Sequence, residues 1–482
     1  MATHWRVDER MRNVSENLEP ESSYLPRFDL CSLPCAAYLE ELVTFFKENA
    51  LNCDGTLSPL YPPSGDTIFM DLDDIVPAFL LCGETDFLET QVMLADPLLQ
   101  WGFPTNDGVL YSWRMDEFLG GLVAIYAAHP VLSIRECIER AVHSVIEHFS
   151  TTSGLFKGIA VPELDMSPTV SFSRGGGLLE VLLDCGEFCT EAPDAAYRAL
   201  DWWMSNPFFM KHGLFPSKWF SKRHILSQGL MANPFVPPRG SFFKDSGSSY
   251  MSSWLPWQRQ LALRFLVWLP YQRVQLMKDN SNLVFAFLEA FRRSGQARYA
   301  EAVKRWTSNV RAKMCVDGLV CKNWDVRKGA SLPMLCQSFT FIDILCDAYY
   351  FIDQDALCLD WACDVAGTWL RYQWPNGLVP CTPGANYDYL DDQTDFCVSL
   401  LKLAELTGEI RWRTAAERIF ASILVHHKCS PALILSVDRE GCLVNETVST
   451  RFNFLFFKAA LAMAGVGKIF EDERLHSFLE DR

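Results

Sequence analysis

The stretch ALCLDWACDVAGTWLRY (Ala356–Tyr372), then QWPNGLVP (Gln373–Pro380) and, after a short loop, LDDQTDFCVSLLKLAELTGE (Leu390–Glu409), decides the fold. In the first segment Leu357, Trp361, Ala362, Val365, Trp369 and Leu370 recur with the 3.6-residue period of an amphipathic helix. Pro375, Asn376, Gly377 and Pro380 then break it. Asp391-Asp392-Gln393-Thr394-Asp395 opens a second helix, and Gly408 stands where a C-cap glycine would stop it. The unit is a helical hairpin with a glycine turn and a long connecting loop.

Working outward, the same order returns. Ala36–Ala50 is followed by Gly55-Thr56-Leu57-Ser58-Pro59 and by Asp71–Cys82, ending at Gly83-Glu84. Ile134–Phe149 leads through Gly154-Leu155-Phe156 to Arg174–Cys185, ending at Gly186-Glu187. Tyr299–Met314 leads through Gly318-Leu319-Val320 to Ser338–Ile352, and Trp412–His427 through Gly441-Cys442-Leu443 to Glu446–Met463. The segments 88–128 and 194–294 fit the pattern less neatly. Six hairpins, or seven, result. Repeated units bury their faces on their neighbours, as an open solenoid or as a closed ring. Loops of roughly 15–40 residues on one side of each hairpin are too long for an open TPR-like array. The expected fold is therefore all-α, an (α/α)6 or (α/α)7 toroid over residues 31–470. An N-terminal arm (1–30) and a polar tail (471–482) flank it.

Composition fits a large filled interior: 482 residues, 49% hydrophobic, with 15 Trp and 34 Phe. The longest apolar runs, near Ile75–Cys82 and Phe265–Leu269, fall short of the roughly 18–20 residues that span a bilayer, so no stable membrane insertion is expected. The N-terminus lacks the apolar core of a signal peptide. The 17 cysteines are scattered through apolar helical stretches, where a reduced thiol packs as a small hydrophobe, and a cytoplasmic setting is the expectation. No metal-ligand spacing is present and no cofactor is expected. A net charge of −16 argues against nucleic acid as partner. Only 207–244 defies that average: it holds no Asp or Glu but six Lys and Arg among Phe, Trp and Pro residues. Such a loop reads as a flap over the mouth of the ring or as a crossover docked on the acidic body.

The hairpin grammar, clearest from Asn376-Gly377-Leu378-Val379-Pro380 through Asp391-Asp392-Gln393-Thr394-Asp395 to Gly408-Glu409, resembles the six-hairpin glycosidase superfamily and its sugar-epimerase and lyase relatives. The resemblance covers roughly residues 31–465 and is one of architecture; it carries no family-specific catalytic motif. It implies a sugar substrate, small or oligosaccharide, held by the first residues of the inner helices and the loops before them.

Those starts offer Asp71, Asp73 and Asp74; Asp116 and Glu117; Arg174; Asp279; Asp391, Asp392 and Asp395; and Glu446. Facing carboxylates are what glycoside hydrolysis requires, one donating a proton to the leaving oxygen and the other activating water or attacking the sugar. Asp73, Asp74, Asp391 and Asp392 are the expected catalytic acids. Asp is also a favoured N-cap, so each of them has a purely structural alternative. Asp71, Asp116, Glu117, Asp395, Arg114 and Arg174 are expected to bind substrate, with Trp113, Trp257 and Trp374 stacking on sugar rings; core anchoring is the competing role of each Trp. Histidine supplies a negative: none of the nine falls on an inner-helix start, whereas epimerases of this architecture shuttle protons on His. Hydrolysis is thus favoured. Two alternatives stand beside it. Asp71-Leu72-Asp73-Asp74 reads DxDD, the proton-donor motif of class II terpene cyclases. A toroid can also serve as a non-catalytic binding protein.

Overall fold

The computed structural model describes residues 35–64, 71–95, 99–100, 103–104, 110–112, 115–160, 170–220, 273–353, 355–429 and 431–463. The arm 1–30, the tail 471–482, and residues 221–244 of the basic insertion lie outside them, as do Trp113, Arg114 and Trp257.

Fifteen α-helices occur among the described residues. In the first half they are α1 (Cys35–Asn49), α2 (Leu72–Leu81), α3 (Thr85–Ala95), α4 (Met115–Ala128), α5 (Leu132–Phe149), α6 (Gly176–Asp184), α7 (Ala192–Met204) and the short α8 (Pro207–His212). The second half supplies α9 (Asn282–Ser294), α10 (Ala297–Lys313), α11 (Leu335–Ala348), α12 (Ala356–Leu370), α13 (Leu390–Thr407), α14 (Ile410–His426) and α15 (Thr450–Met463). Helices α2, α4, α6, α9, α11, α13 and α15 pack each on the next, and α15 returns to α2. That closes an inner ring of seven. The helices between them in sequence form the outer layer, so the described residues make seven hairpins, the larger of the two expected sizes. Each outer helix carries the chain back, and the inner helices therefore run parallel with their N-termini at one mouth.

Sequence explains the two layers. Outer helices are amphipathic, and α7, α10, α12 and α14 each press one tryptophan inward: Trp203, Trp306, Trp369 and Trp412, none more than 1% exposed. Emptying such a site costs roughly 3–5 kcal/mol. Inner helices are buried almost all round, as in α11, where every residue but Asp343 is buried. The stretch Leu335–Asp353 is long and apolar enough to cross a membrane, and 72% of it is buried inside the ring. Surrounding helices take the place of lipid there.

The recurring glycines mark one recurring turn. Gly55, Gly154, Gly318, Gly377 and Gly441 all have φ between 80° and 93°, the left-handed region that an L side chain resists. A Cβ at Gly377 would also fall on Ser422 Oγ. Leu155, Leu319 and Leu378 follow directly and turn back into the core. Gly408 caps α13 as expected, at φ 69° with its N–H on Ala404 O.

The long loops are not free-standing. Short antiparallel strands join neighbouring loops around the mouth: Leu110–Tyr111 with Ile159–Ala160, Val170–Phe172 with Lys218–Phe220, and Arg273–Gln275 with Asn323–Asp325. Leu60–Tyr61 pairs with Val448–Ser449, and Thr450 N donates to Pro59 O (3.0 Å), so the first and last hairpins are stitched together. These strands are too short for alternation to reveal. The described part of the basic insertion joins this collar: Pro207 opens α8, Asn206 caps it, and Phe208, Phe209 and Phe215 sink into the core.

Candidate active site

At the mouth end, the first turns of α2, α4 and α13 deliver their acids toward the axis, and α15 supplies the cations that organise them. Arg451 is the hub. Its Nη1 lies 2.9 Å from Asp71 Oδ1, its Nε 2.7 Å from Asp74 Oδ2, and its Nη2 3.5 Å from Glu117 Oε1. Lys458, two turns further along α15, places Nζ 2.8 Å from Asp74 Oδ1. Asp71 occupies the N-cap position of α2 but makes no cap hydrogen bond; its carboxylate is turned to Arg451 instead. Neither is α13 capped by a side chain. Capping does not account for these two clusters.

Glycines let the helices close in. A Cβ at Gly121 would strike the Leu72 side chain and the Asp73 backbone, and one at Gly177 would land on Asp116 Oδ2. A Cβ at Gly176 would strike the Leu283 backbone. The run Gly175-Gly176-Gly177 thus serves close packing of α6 on α9 and α4, as its lack of phosphate-loop spacing implied.

Asp73, Asp116, Glu117, Glu180 and Asp395 lie deep within the ring, yet each keeps part of its surface open to solvent. Burial raises all of them. For Asp116 burial, with repulsion from Asp73, outweighs the pull of Arg174 and pushes the carboxyl up to about 7. Burial, with Asp391, Asp343 and Asp74 adding repulsion, lifts Asp395 to about 8. Glu180, repelled by Glu289 and Asp116, also rises to about 8. Glu117 lies well above its ordinary value although Arg451 opposes the shift, and Asp73 is raised by burial and by Asp74. Asp74 goes the other way: burial favours its proton, but Lys458 and Arg451 outweigh it and hold the carboxyl well below the usual range. One Asp116 oxygen, Oδ1, is shielded from solvent with no hydrogen-bond partner among the described residues.

The expected residues thus divide. Asp71, Asp73, Asp74, Asp116, Glu117, Asp391 and Asp395 form one electrostatic neighbourhood around Arg451, and Arg174 joins it beside Asp116. Asp392 faces another way. It is 4% exposed and sits by Cys336, Cys381, Tyr387 and Tyr389, because one residue along a helix turns a side chain by about 100°. Trp374, expected on a sugar ring, is 7% exposed and packs in the core below the turn closed by its N–H to Leu378 O. Arg451 and Lys458 were not among the expected residues. A second missed cluster joins α11 to α13: Lys402, 3% exposed, lies 3.3 Å from Asp343 and 3.5 Å from Asp347. Burial lifts Asp347 to about 6 despite that lysine.

No protein-family model matches the sequence, and no curated protein matches it. Solved structures do match in fold. The alpha-1,2-mannosidase from Trichoderma reesei superposes with a TM-score of 0.60 at 12% identity, over 89% of this chain and 92% of the mannosidase. A D-mannose isomerase gives 0.54 at 11%, over 93% and 100%. The cellobiose 2-epimerase from Spirochaeta thermophila gives 0.53 at 14%, over 81% and 98%. The chain has the α/α toroid fold of these proteins, as its hairpin grammar implied.

Proposed function

We propose that this protein is a carbohydrate-active enzyme working by carboxylate acid–base chemistry on the ring axis, with O-glycosyl hydrolysis as its reaction. The observation that carries the reading is the pair of raised carboxyls, Asp116 and Asp395, each at the first turns of an inner helix and partly open to solvent. Asp395, lifted further, keeps its proton at neutral pH and acts as general acid to the leaving oxygen. Asp116 ionises more readily and takes the proton of the attacking water. Asp74 is consumed by Arg451 and Lys458 and serves to fix α2 against α15, so the catalytic role first expected of Asp74 and Asp392 passes to Asp116 and Asp395. Asp71, Asp73, Glu117, Asp391 and Arg174 are left to grip hydroxyls. The fold neighbours, a mannosidase, an isomerase and an epimerase, support a sugar substrate without separating hydrolysis from isomerisation. The seven inner helices carry no histidine to shuttle a C–H proton, which favours hydrolysis.

Incubation with a panel of glycosides and free sugars, with product analysis by mass, tests this. Asp116→Asn and Asp395→Asn are each expected to lower turnover by roughly 10²–10⁴-fold with unchanged circular dichroism. Full activity in both refutes the assignment. A second reading keeps one foothold, since of the DxDD trio Asp73 is raised while Asp74 is tied up as an anion. Cyclised product from a prenyl diphosphate would select it.

A further inference from the structure

Just before α13 stands Asp388, and at the C-cap of α14 stands His427; both are 0% exposed. The histidine ring bridges two segments. Its Nδ1 donates to Ile434 O at 2.9 Å, since a carbonyl can only accept, and its Nε2 meets Asp388 Oδ2 at 2.9 Å. The other carboxyl oxygen, Oδ1, accepts from Val437 N at 3.0 Å. Around this pair Ser436 Oγ donates to Asp388 O (2.6 Å), Asp388 N to Val437 O (3.1 Å) and Leu390 N to Leu435 O (2.9 Å). Both ring nitrogens and both carboxyl oxygens are thus spent on holding the loop between α14 and α15 to the entry of α13. That entry has no side-chain cap of its own. Asp391 follows the pinned Leu390 N–H directly, and of the charges that repel Asp395 it is Asp391 that acts most strongly. A buried polar network of this kind fixes geometry because leaving any member unpaired is costly.

We propose that His427 and Asp388 are positioning residues for Asp391, the latch between them setting where the first turn of α13 presents that carboxylate to a sugar hydroxyl; this rests on the hydroxyl-gripping role given to Asp391 above. Asp388→Ala removes both carboxyl bonds and His427→Leu both ring bonds. Asp388→Asn keeps the set, its amide donating to Nε2 while its oxygen still accepts from Val437 N. Two readouts are taken on the full chain: steady-state kinetics on a glycoside that the parent cleaves, and NMR titration of carboxyl-labelled aspartate, with the Asp395 resonance assigned from Asp395→Asn. In Asp388→Ala and His427→Leu, KM is expected to rise roughly tenfold with kcat within about twofold. The Asp395 carboxyl is expected to titrate lower than in the parent, because Asp391 no longer stands beside it. Asp388→Asn recovers most of both. Ser436→Ala, which removes one hydrogen bond only, moves both readouts the same way by less and serves if the larger changes prevent folding. Unchanged KM and titration in the folded variants overturn the proposal, as does an Asp388→Asn chain impaired as badly as Asp388→Ala. A parent that cleaves no glycoside sinks the hydrolytic reading instead, and the carboxyl titration then decides this one.

Discussion

Asp73 and Asp74 are adjacent in sequence, yet their carboxyls move in opposite directions. One sits among other acids, partly open to solvent; the other is clamped between Arg451 and Lys458. At this scale chemistry is set by which side chain the cations reach. The same logic yields a pH profile. Activity rises as Asp116 loses its proton, through about pH 7, and falls as Asp395 loses its own, through about pH 8. A bell with those limbs in kcat/KM is expected, and Asp116→Asn removes the rising limb along with most of the rate. A parent profile flat from pH 6 to 9 contradicts the roles. The acids at helix starts were legible in the sequence because doubled Asp exceeds what a cap uses. Arg451 and Lys458 were not read, although a signal existed: Lys458 interrupts the apolar run NFLFFKAALAM (Asn453–Met463), where an unpaired charge would be costly. Glu180 and Lys402 interrupt apolar helices in the same way.

Between elements, α15 ties to α2 through Lys458 and Asp74, and α13 to α11 through Lys402, Asp343 and Asp347. Buried pairs of this kind contribute little beyond an apolar substitute but are costly to halve. Lys458→Met, which leaves Asp74 with Arg451 as its one remaining cation among the described residues, is expected to destabilise the fold by roughly 1–3 kcal/mol in denaturant unfolding. Adding Asp74→Leu recovers most of the loss. A single variant as stable as the parent shows that the pair carries no such weight. Helices and turn glycines could be read because their periods and φ demands are local. The collar strands could not, since two- and three-residue pairings between distant loops leave no alternation. Nor could the burial of Trp374, which depends on what packs over the turn.

Across the molecule, the axial acids shape stability as a set. Folded, Asp347 holds its proton to about pH 6, Asp116 to about 7, and Glu180 and Asp395 to about 8. Unfolded, each releases it near pH 4. The native chain thus binds more protons across that window, and its stability falls as pH rises through it. Asp74 acts oppositely, but only in strong acid. Thermal melting is expected several degrees lower at pH 8.5 than at pH 6, and a midpoint that climbs over that range contradicts the raised set. That the chain closes into a ring followed from loop length; that the ring holds seven hairpins needed the pairing of its two ends.

That seam has a consequence for biosynthesis. Arg451 meets Asp71 across 380 positions, Lys458 meets Asp74 across 384, and Thr450 meets Ser58 across 392. A ribosome must deliver nearly the whole toroid before the α2 acids find their counter-ions. Until then the α2 acids of the nascent N-terminal hairpins lack Arg451 and Lys458, so a prematurely terminated chain has no working centre and exposes an open, self-repelling edge to whatever cellular machinery clears unfinished proteins.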